Sequence, residues 1–154
     1  MQTNKKVQAF TLSEMIVVLI LTSIVVGLAF SVLGLVQKQM LAIQDNYNKS
    51  LELNKLETVL WLDFNRYSKI EYNNLEKELK FSTELDSMTY RFLESKVIKE
   101  QDTFAIQLQQ KKYYFEGDII SNGQIDALKL ETTKDFQNQQ LFIFKQNDAT
   151  VFMN

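Results

Sequence analysis

The sequence predicts an α+β fold, in which one long N-terminal helix packs on a mainly antiparallel β-sheet head. Three patterns favour it. An almost uninterrupted apolar run extends from Met15 to Val36. Beyond Val36, apolar residues recur mostly every three or four positions as far as Tyr67, without Gly or Pro, as on one face of a helix. From about Leu75 onward, apolar and polar residues alternate, as in half-buried strands.

The apolar run is long enough to cross a membrane. Its roughly 22 residues would rise about 33 Å as a helix, which matches the apolar thickness of a bilayer. Lys5 and Lys6 precede it, so the positive-inside bias predicts a cytoplasmic N-terminus and an extracytoplasmic head. A secretory signal peptide has an apolar region of only about 7–15 residues and a cleavage site of the A-x-A type, and neither fits this run. We therefore expect a single-pass protein of the cytoplasmic (inner) membrane, in contact with lipid.

The helix is predicted to run from about Phe10 to about Ser68, with its amphipathic second half lying on the soluble domain. Trp61 and Leu62 fall beside the apolar stripe and widen it, toward either the sheet or a partner subunit. The stripe expected to face the core comprises Met40, Ile43, Tyr47, Leu53, Leu56, Leu60, Phe64 and Tyr67.

The C-terminal half is predicted to form roughly five to seven strands. Turn signals at residues 116–118 and 122–123 leave only short connections, which favours antiparallel pairing. One face of this sheet should pack on the helix and the other should face water. The alternating apolar residues are Met88, Tyr90, Phe92, Phe104, Ile106, Leu108, Tyr113, Phe115, Leu128, Leu130, Phe142, Phe144, Val151 and Met153.

Composition argues against most enzymatic and cofactor-dependent functions. The chain has no His and no Cys, so the usual zinc, haem and nucleophile–histidine sites lack essential ligands. Its acidic residues are scattered and do not have the spacing of a calcium loop. The 17 basic and 19 acidic residues give a net charge of −2, without the basic excess of a nucleic-acid-binding protein. We therefore expect that the protein is not an enzyme, that it binds no cofactor or metal, and that it has no nucleic-acid partner.

One ionisable residue, Glu14, stands at the mouth of the apolar run, and its surroundings carry a family resemblance. The stretch from Lys5 to Ala9, followed by Phe10-Thr11-Leu12-Ser13-Glu14 and a long apolar helix, resembles the N-terminus of type IV prepilins and type II secretion pseudopilins. In that family a prepilin peptidase removes a basic leader just before a Phe. The new terminal amine is N-methylated, and the fifth mature residue is a Glu.

The resemblance implies a leader over residues 1–9, cleavage between Ala9 and Phe10, and N-methylation of Phe10. Glu14 becomes the fifth mature residue and would pair with the terminal amine of a neighbouring subunit. Thr11 and Leu12 complete the set of assembly residues, and Lys5 and Lys6 supply the charge of the leader. The family usually has Gly before the cut, where this chain has Ala9.

The resemblance further implies a pilin-like fold and a structural function. Residues 10–36 would cross the membrane and later form a filament core, and residues 37–154 would form the rest of the helix and the head. The implied partners are the peptidase, other pilin or pseudopilin subunits and an inner-membrane assembly platform. The strand around Thr89-Tyr90-Arg91 is similar to minor pseudopilins of the J type. The alternative is a single-span anchored binding or adaptor domain that does not polymerise.

Overall fold

The structure, a computed structural model, describes residues 10–145. The chain has two compact units, residues 1–44 and 45–154. The predicted leader, with Lys5, Lys6 and Ala9, and the predicted alternation of Val151 and Met153 lie outside the described residues.

Helix α1 extends over Leu12–Arg66, close to the predicted limits. No Pro or Gly interrupts its second half, and Arg66 in the last turn complements the negative end of the helix dipole. The residues of α1 that are buried in the second unit follow the spacing of one helical face: Leu53, Leu56, Leu60, Asp63 and Phe64.

The predicted apolar stripe is correct from Leu53 onward and wrong before it. Met40, Ile43 and Tyr47 are 65–66% exposed. Their helical spacing is real, but spacing alone does not say where the core begins.

The second unit contains two antiparallel sheets instead of one. Six strands form one sheet, and four form the other. A short 3₁₀ turn, Lys134–Phe136, separates the last two strands. The strands are β1 Lys69–Asn73, β2 Glu78–Ser82, β3 Ser87–Phe92, β4 Val97–Lys99, β5 Asp102–Phe104, β6 Leu108–Phe115, β7 Asp118–Ile120, β8 Gly123–Gln124, β9 Ala127–Thr132 and β10 Gln140–Phe144.

The order of the first sheet is β5-β4-β3-β2-β1-β8, and that of the second is β10-β9-β6-β7. Every strand pair is antiparallel, so the α+β prediction is confirmed. The core is a single cluster of buried apolar side chains from α1 and both sheets, including Leu56, Phe81, Tyr90, Leu128 and Ile143.

The described residues form ten strands, more than the five to seven predicted, and two further strand predictions need correction. The alternation of Phe104, Ile106 and Leu108 is not one strand, because β5 ends at Phe104 in one sheet and β6 begins at Leu108 in the other. All three side chains are nevertheless buried, so the connection between the sheets follows the core.

The second correction concerns β10, whose two faces are the reverse of the prediction. Phe142 and Phe144 are 52% and 44% exposed, whereas Leu141 and Ile143 are buried. The register explains this, because Leu141 pairs with Leu130 and Ile143 with Leu128 on the buried face of β9. Residues that alternate with them must point to the opposite face.

A buried polar cluster ties α1 to the first sheet. Asp63 of α1 is 5% exposed and accepts a hydrogen bond from the Tyr90 hydroxyl on β3. Lys99 of β4 places its Nζ 2.8 Å from the same Asp63 carboxylate. The Asp63 carboxylate therefore has both a hydrogen-bond donor and a cation beside it, as a buried charge requires.

The buried tyrosines predict a loss of stability at alkaline pH. Burial, followed by the hydrogen bond to Asp63, raises the pKa of Tyr90 far above its usual value, and burial raises the pKa of Tyr113 likewise. In the unfolded chain both hydroxyls ionise near pH 10. Above that pH the unfolded state binds fewer protons than the folded state, so the free energy of unfolding should fall as pH rises.

Denaturant midpoints measured at pH 8, 10 and 11 would check this expectation. The hydroxyls of Tyr90 and Tyr113 should leave the denaturant midpoint unchanged below about pH 10 and should lower it above that pH. Tyr90→Phe should make that fall shallower. A wild-type midpoint that stays level to pH 11 would contradict the assignment.

Candidate functional site

The first turn of α1 is closed by a reciprocal pair of hydrogen bonds between Thr11 and Glu14. Thr11 precedes the helix, and its backbone N–H donates to Glu14 Oε2 at 2.8 Å. The Glu14 backbone N–H in turn approaches Thr11 Oγ1 at 3.4 Å. This is the capping-box arrangement, in which a Thr before the helix and a Glu three residues later satisfy each other's free N–H groups.

The Thr11 hydroxyl reinforces the same carboxylate. Thr11 Oγ1 donates to Glu14 Oε2 at 2.9 Å and lies 3.1 Å from Ser13 Oγ. Glu14 is also the acidic residue of the first turn, where the positive end of the helix dipole favours a negative charge. The protein therefore holds a carboxylate in a fixed position at the start of the apolar segment.

All the atoms of this cap belong to residues 11–14. A cut between Ala9 and Phe10 would remove none of its hydrogen bonds, and it would leave a new ammonium one residue before the cap. The arrangement can thus present a cation on Phe10 and an anion on Glu14 within the first turn of one helix.

The first unit exposes its apolar side chains along the whole described part of the helix. Phe10 and Leu12 are 77% and 80% exposed, and every large apolar residue from Met15 to Val36 is at least 48% exposed. By length and composition, α1 is the one helix among residues 10–145 able to cross a membrane. Such a surface needs lipid or other apolar helices around it.

Two of the three hydroxyl side chains inside this segment, those of Thr22 and Ser23, are hydrogen-bonded to their own helix. Thr22 Oγ1 donates to the carbonyl oxygens of Val18 and Leu19, and Ser23 Oγ donates to Leu19 O at 2.7 Å. Hydroxyls bonded to the preceding turn need no water, so they are compatible with an apolar surrounding. Glu14 is the only charged residue between Phe10 and Val36.

The predicted assembly residues thus separate into two kinds. Thr11 and Glu14 are brought together in the cap, whereas Phe10 and Leu12 are exposed apolar side chains on either side of Thr11. The sequence analysis missed the capping role of Thr11. Its signal was present, since Thr followed by Glu three residues later, before an apolar run, is the pattern of a capping box.

Comparison with known protein families points to the same segment. Residues 4–30 match the family described as the prokaryotic N-terminal methylation motif. The match spans the basic part of the predicted leader, the junction between Ala9 and Phe10, the cap and about three quarters of the apolar run. Searches of curated proteins and of solved structures found no match. The resemblance of the N-terminus to type IV pilins and pseudopilins is confirmed, and the comparison does not reach the head.

Proposed function

We propose, from the premise that this chain carries the N-terminal motif of type IV pilin-like proteins, that it is a minor pilin or pseudopilin. In this proposal it is a structural subunit of a type IV filament or a type II secretion-like machine, and not an enzyme. A prepilin peptidase removes residues 1–9, and the mature chain remains in the inner membrane as a single-pass protein before assembly. It then assembles with other pilin subunits on a platform in that membrane. The J-type subclass is the form that the strand around Tyr90 favours.

The observation that carries the proposal is the composition of the first turn. One carboxylate, Glu14, is oriented by Thr11 at the edge of an apolar segment that has no other charge as far as Val36. Capping alone does not need a charged residue, because Gln caps as well as Glu. The helix dipole favours a negative charge here but does not require one, so we infer that the carboxylate has a second task beyond starting the helix.

That task is to select the position of the neighbouring subunit. Cleavage before Phe10 creates an ammonium, and N-methylation keeps its charge. When apolar helices pack together, an unpaired carboxylate in their midst is unfavourable, and pairing it with the ammonium of a neighbour removes the penalty. Only one axial position of the two helices brings these groups together, so the pair fixes the register of assembly.

A second candidate function needs only the apolar segment as an anchor. The chain could be an anchored binding or adaptor domain that is never cut, since its span alone would hold the head at the membrane. The two functions differ in the N-terminal residue of the protein in its native membrane.

Intact mass and N-terminal sequencing of the membrane-purified protein test the proposal. We expect a chain that begins with N-methylated Phe10 when the peptidase is present and with Met1 when its gene is deleted. Ala9→Gly should be cut at least as completely as the wild type, and Ala9→Leu should accumulate uncut, because the larger side chain obstructs the junction. A wild-type chain that still begins at Met1 beside an active peptidase would favour the adaptor function.

A further inference from the structure

The edge strand β10 differs from the other sheet edges of the described residues. The edges formed by β5, β7 and β8 are only two or three residues long, and β5 and β7 each carry an Asp. Short strands and charges are the usual protection against pairing with another chain. β10 has five residues, Gln140-Leu-Phe-Ile-Phe144, with no charge and no Pro. It is an edge without the customary protection.

The backbone of β10 is oriented for a further strand. The Lys145 N–H donates to Asp126 O at 2.8 Å, and the Thr132 N–H donates to Gln139 O at 2.9 Å, so the odd-numbered residues bond to β9. In an antiparallel pair these bonds alternate along the strand. The N–H and C=O groups of Gln140, Phe142 and Phe144 therefore point away from β9, toward an edge that nothing within residues 10–145 covers.

The exposed side chains of Phe142 and Phe144 form an aromatic patch with two half-buried neighbours, and the patch is defined here as Trp61, Tyr114, Phe142 and Phe144. Phe144 packs edge-on against Trp61 of α1, with ring centroids 5.2 Å apart. Phe142 lies 6.0 Å from Tyr114 and 6.1 Å from Phe144. The small side chain of Ala127 leaves room for these contacts, because it is paired with both Phe144 and Tyr114.

We propose that β10 is a docking edge for β10 of a second copy of this chain. An uncharged strand can pair with itself without placing like charges opposite each other, which is the usual obstacle to self-pairing. Antiparallel pairing over all five residues sets Phe142 opposite Phe142 of the second copy and Gln140 opposite Phe144. The aromatic patches of the two copies then adjoin on one face of a continuous eight-stranded sheet.

The contact is small and depends on the membrane anchor. Two five-residue strands bury less than the roughly 1,200 Å² of a standard stable interface. Two heads held by α1 at one membrane surface have a high effective concentration, which lets such a contact form. The inference goes beyond the proposed function, because an anchored adaptor that never polymerises would pair in the same way.

Cysteine cross-linking in membranes tests the pairing, since the chain has no Cys of its own. Full-length Phe142→Cys, treated with a mild oxidant in native membranes, should give a disulfide-linked dimer. Controls are Ile119→Cys on β7 and Leu85→Cys in the β2–β3 turn, which are 64% and 98% exposed. We expect the yield at Phe142 to exceed both by about fivefold or more. A chain that carries both Gln140→Cys and Phe144→Cys should also form a dimer, because residue 140 of one copy lies opposite residue 144 of the other. Either substitution alone should cross-link poorly.

A matched pair of variants separates strand pairing from simple contact of the aromatic patches. In the Phe142→Cys chain, Phe144→Pro removes the ring and the outward N–H, whereas Phe144→Thr removes only the ring. Pro is tolerated at such an edge position because β9 does not use that N–H. We expect Phe144→Pro to abolish the dimer and Phe144→Thr to retain most of it.

Several results would overturn the inference. If Ile119→Cys cross-links as efficiently as Phe142→Cys, the heads collide at random while their helices associate, and no specific pairing of β10 exists. Cross-linking of Phe142→Cys to a different protein would assign the edge to another partner. A dimer that forms only after removal of residues 146–154 would mean that this segment occupies the edge in the full chain.

Discussion

Replacing Glu14 by Gln is expected to abolish incorporation into filaments while leaving membrane insertion intact. Gln keeps an oxygen that can accept the hydrogen bonds now donated by Thr11, so the start of α1 should be preserved. The neutral amide cannot pair with the ammonium of a neighbouring Phe10. Incorporation, measured as the fraction of the chain in sheared filaments or in purified assembly complexes, should fall about tenfold or more.

Two further variants distinguish the loss of the Glu14 charge from the loss of the helix cap. Thr11→Val deletes the capping hydroxyl but keeps both the backbone N–H of residue 11 and the Glu14 carboxylate, so we expect incorporation near that of the wild type. Glu14→Ala deletes cap and charge together and should fail as completely as Glu14→Gln. If Glu14→Gln is incorporated normally and only Glu14→Ala fails, Glu14 serves as a helix cap and the pairing proposal is wrong.

The N-terminus could be predicted from sequence in more detail than the head. The functional signals near Phe10 are local: a charge, a cap and an apolar run lie within consecutive residues, and their spacing follows from helix geometry. The contacts between Thr11 and Glu14 span only three residues and involve no other part of the chain.

The head depends on contacts between distant residues, and there the sequence left choices open. Alternation in β10 is equally compatible with burying Phe142 and Phe144 or burying Leu141 and Ile143. Pairing with Leu128 and Leu130 of β9 decides for the second choice. The division into two sheets is also non-local, because it depends on the chain leaving one sheet after Phe104 and entering the other at Leu108.

The limits of the stripe on α1 have the same origin. Helical periodicity predicts which residues share a face, but the strands of the second unit determine how much of that face is covered. Leu53 is the first residue of α1 that they bury, and Tyr47, two turns earlier, remains exposed. Exposed residues of this kind are where a partner would be sought, which sequence periodicity alone would not indicate.

Asp63→Ala is expected to destabilise the head strongly. It removes the acceptor of the buried Tyr90 hydroxyl and leaves Lys99, whose side chain is only 22% exposed, without its carboxylate. Breaking a buried charged pair in this way costs about 3–5 kcal/mol. A domain of this size has about 5–15 kcal/mol in total, so a large part of its stability would be lost. The full chain in detergent can be unfolded with denaturant and followed by the fluorescence of Trp61, its only Trp.

The matched control is Asp45→Ala, which breaks an ion pair on the same helix. The Asp45 side chain is 63% exposed and lies 2.7 Å from Lys49, so its loss should cost no more than about 0.5 kcal/mol. Tyr90→Phe and Lys99→Met then divide the effect of Asp63 between its two partners. If the cluster acts as a unit, the double variant Asp63→Ala/Lys99→Met should be more stable than Asp63→Ala alone, because it no longer leaves a half-buried cation unpaired. An Asp63→Ala chain as stable as Asp45→Ala would mean that water reaches this carboxylate and that apolar packing alone joins α1 to the first sheet.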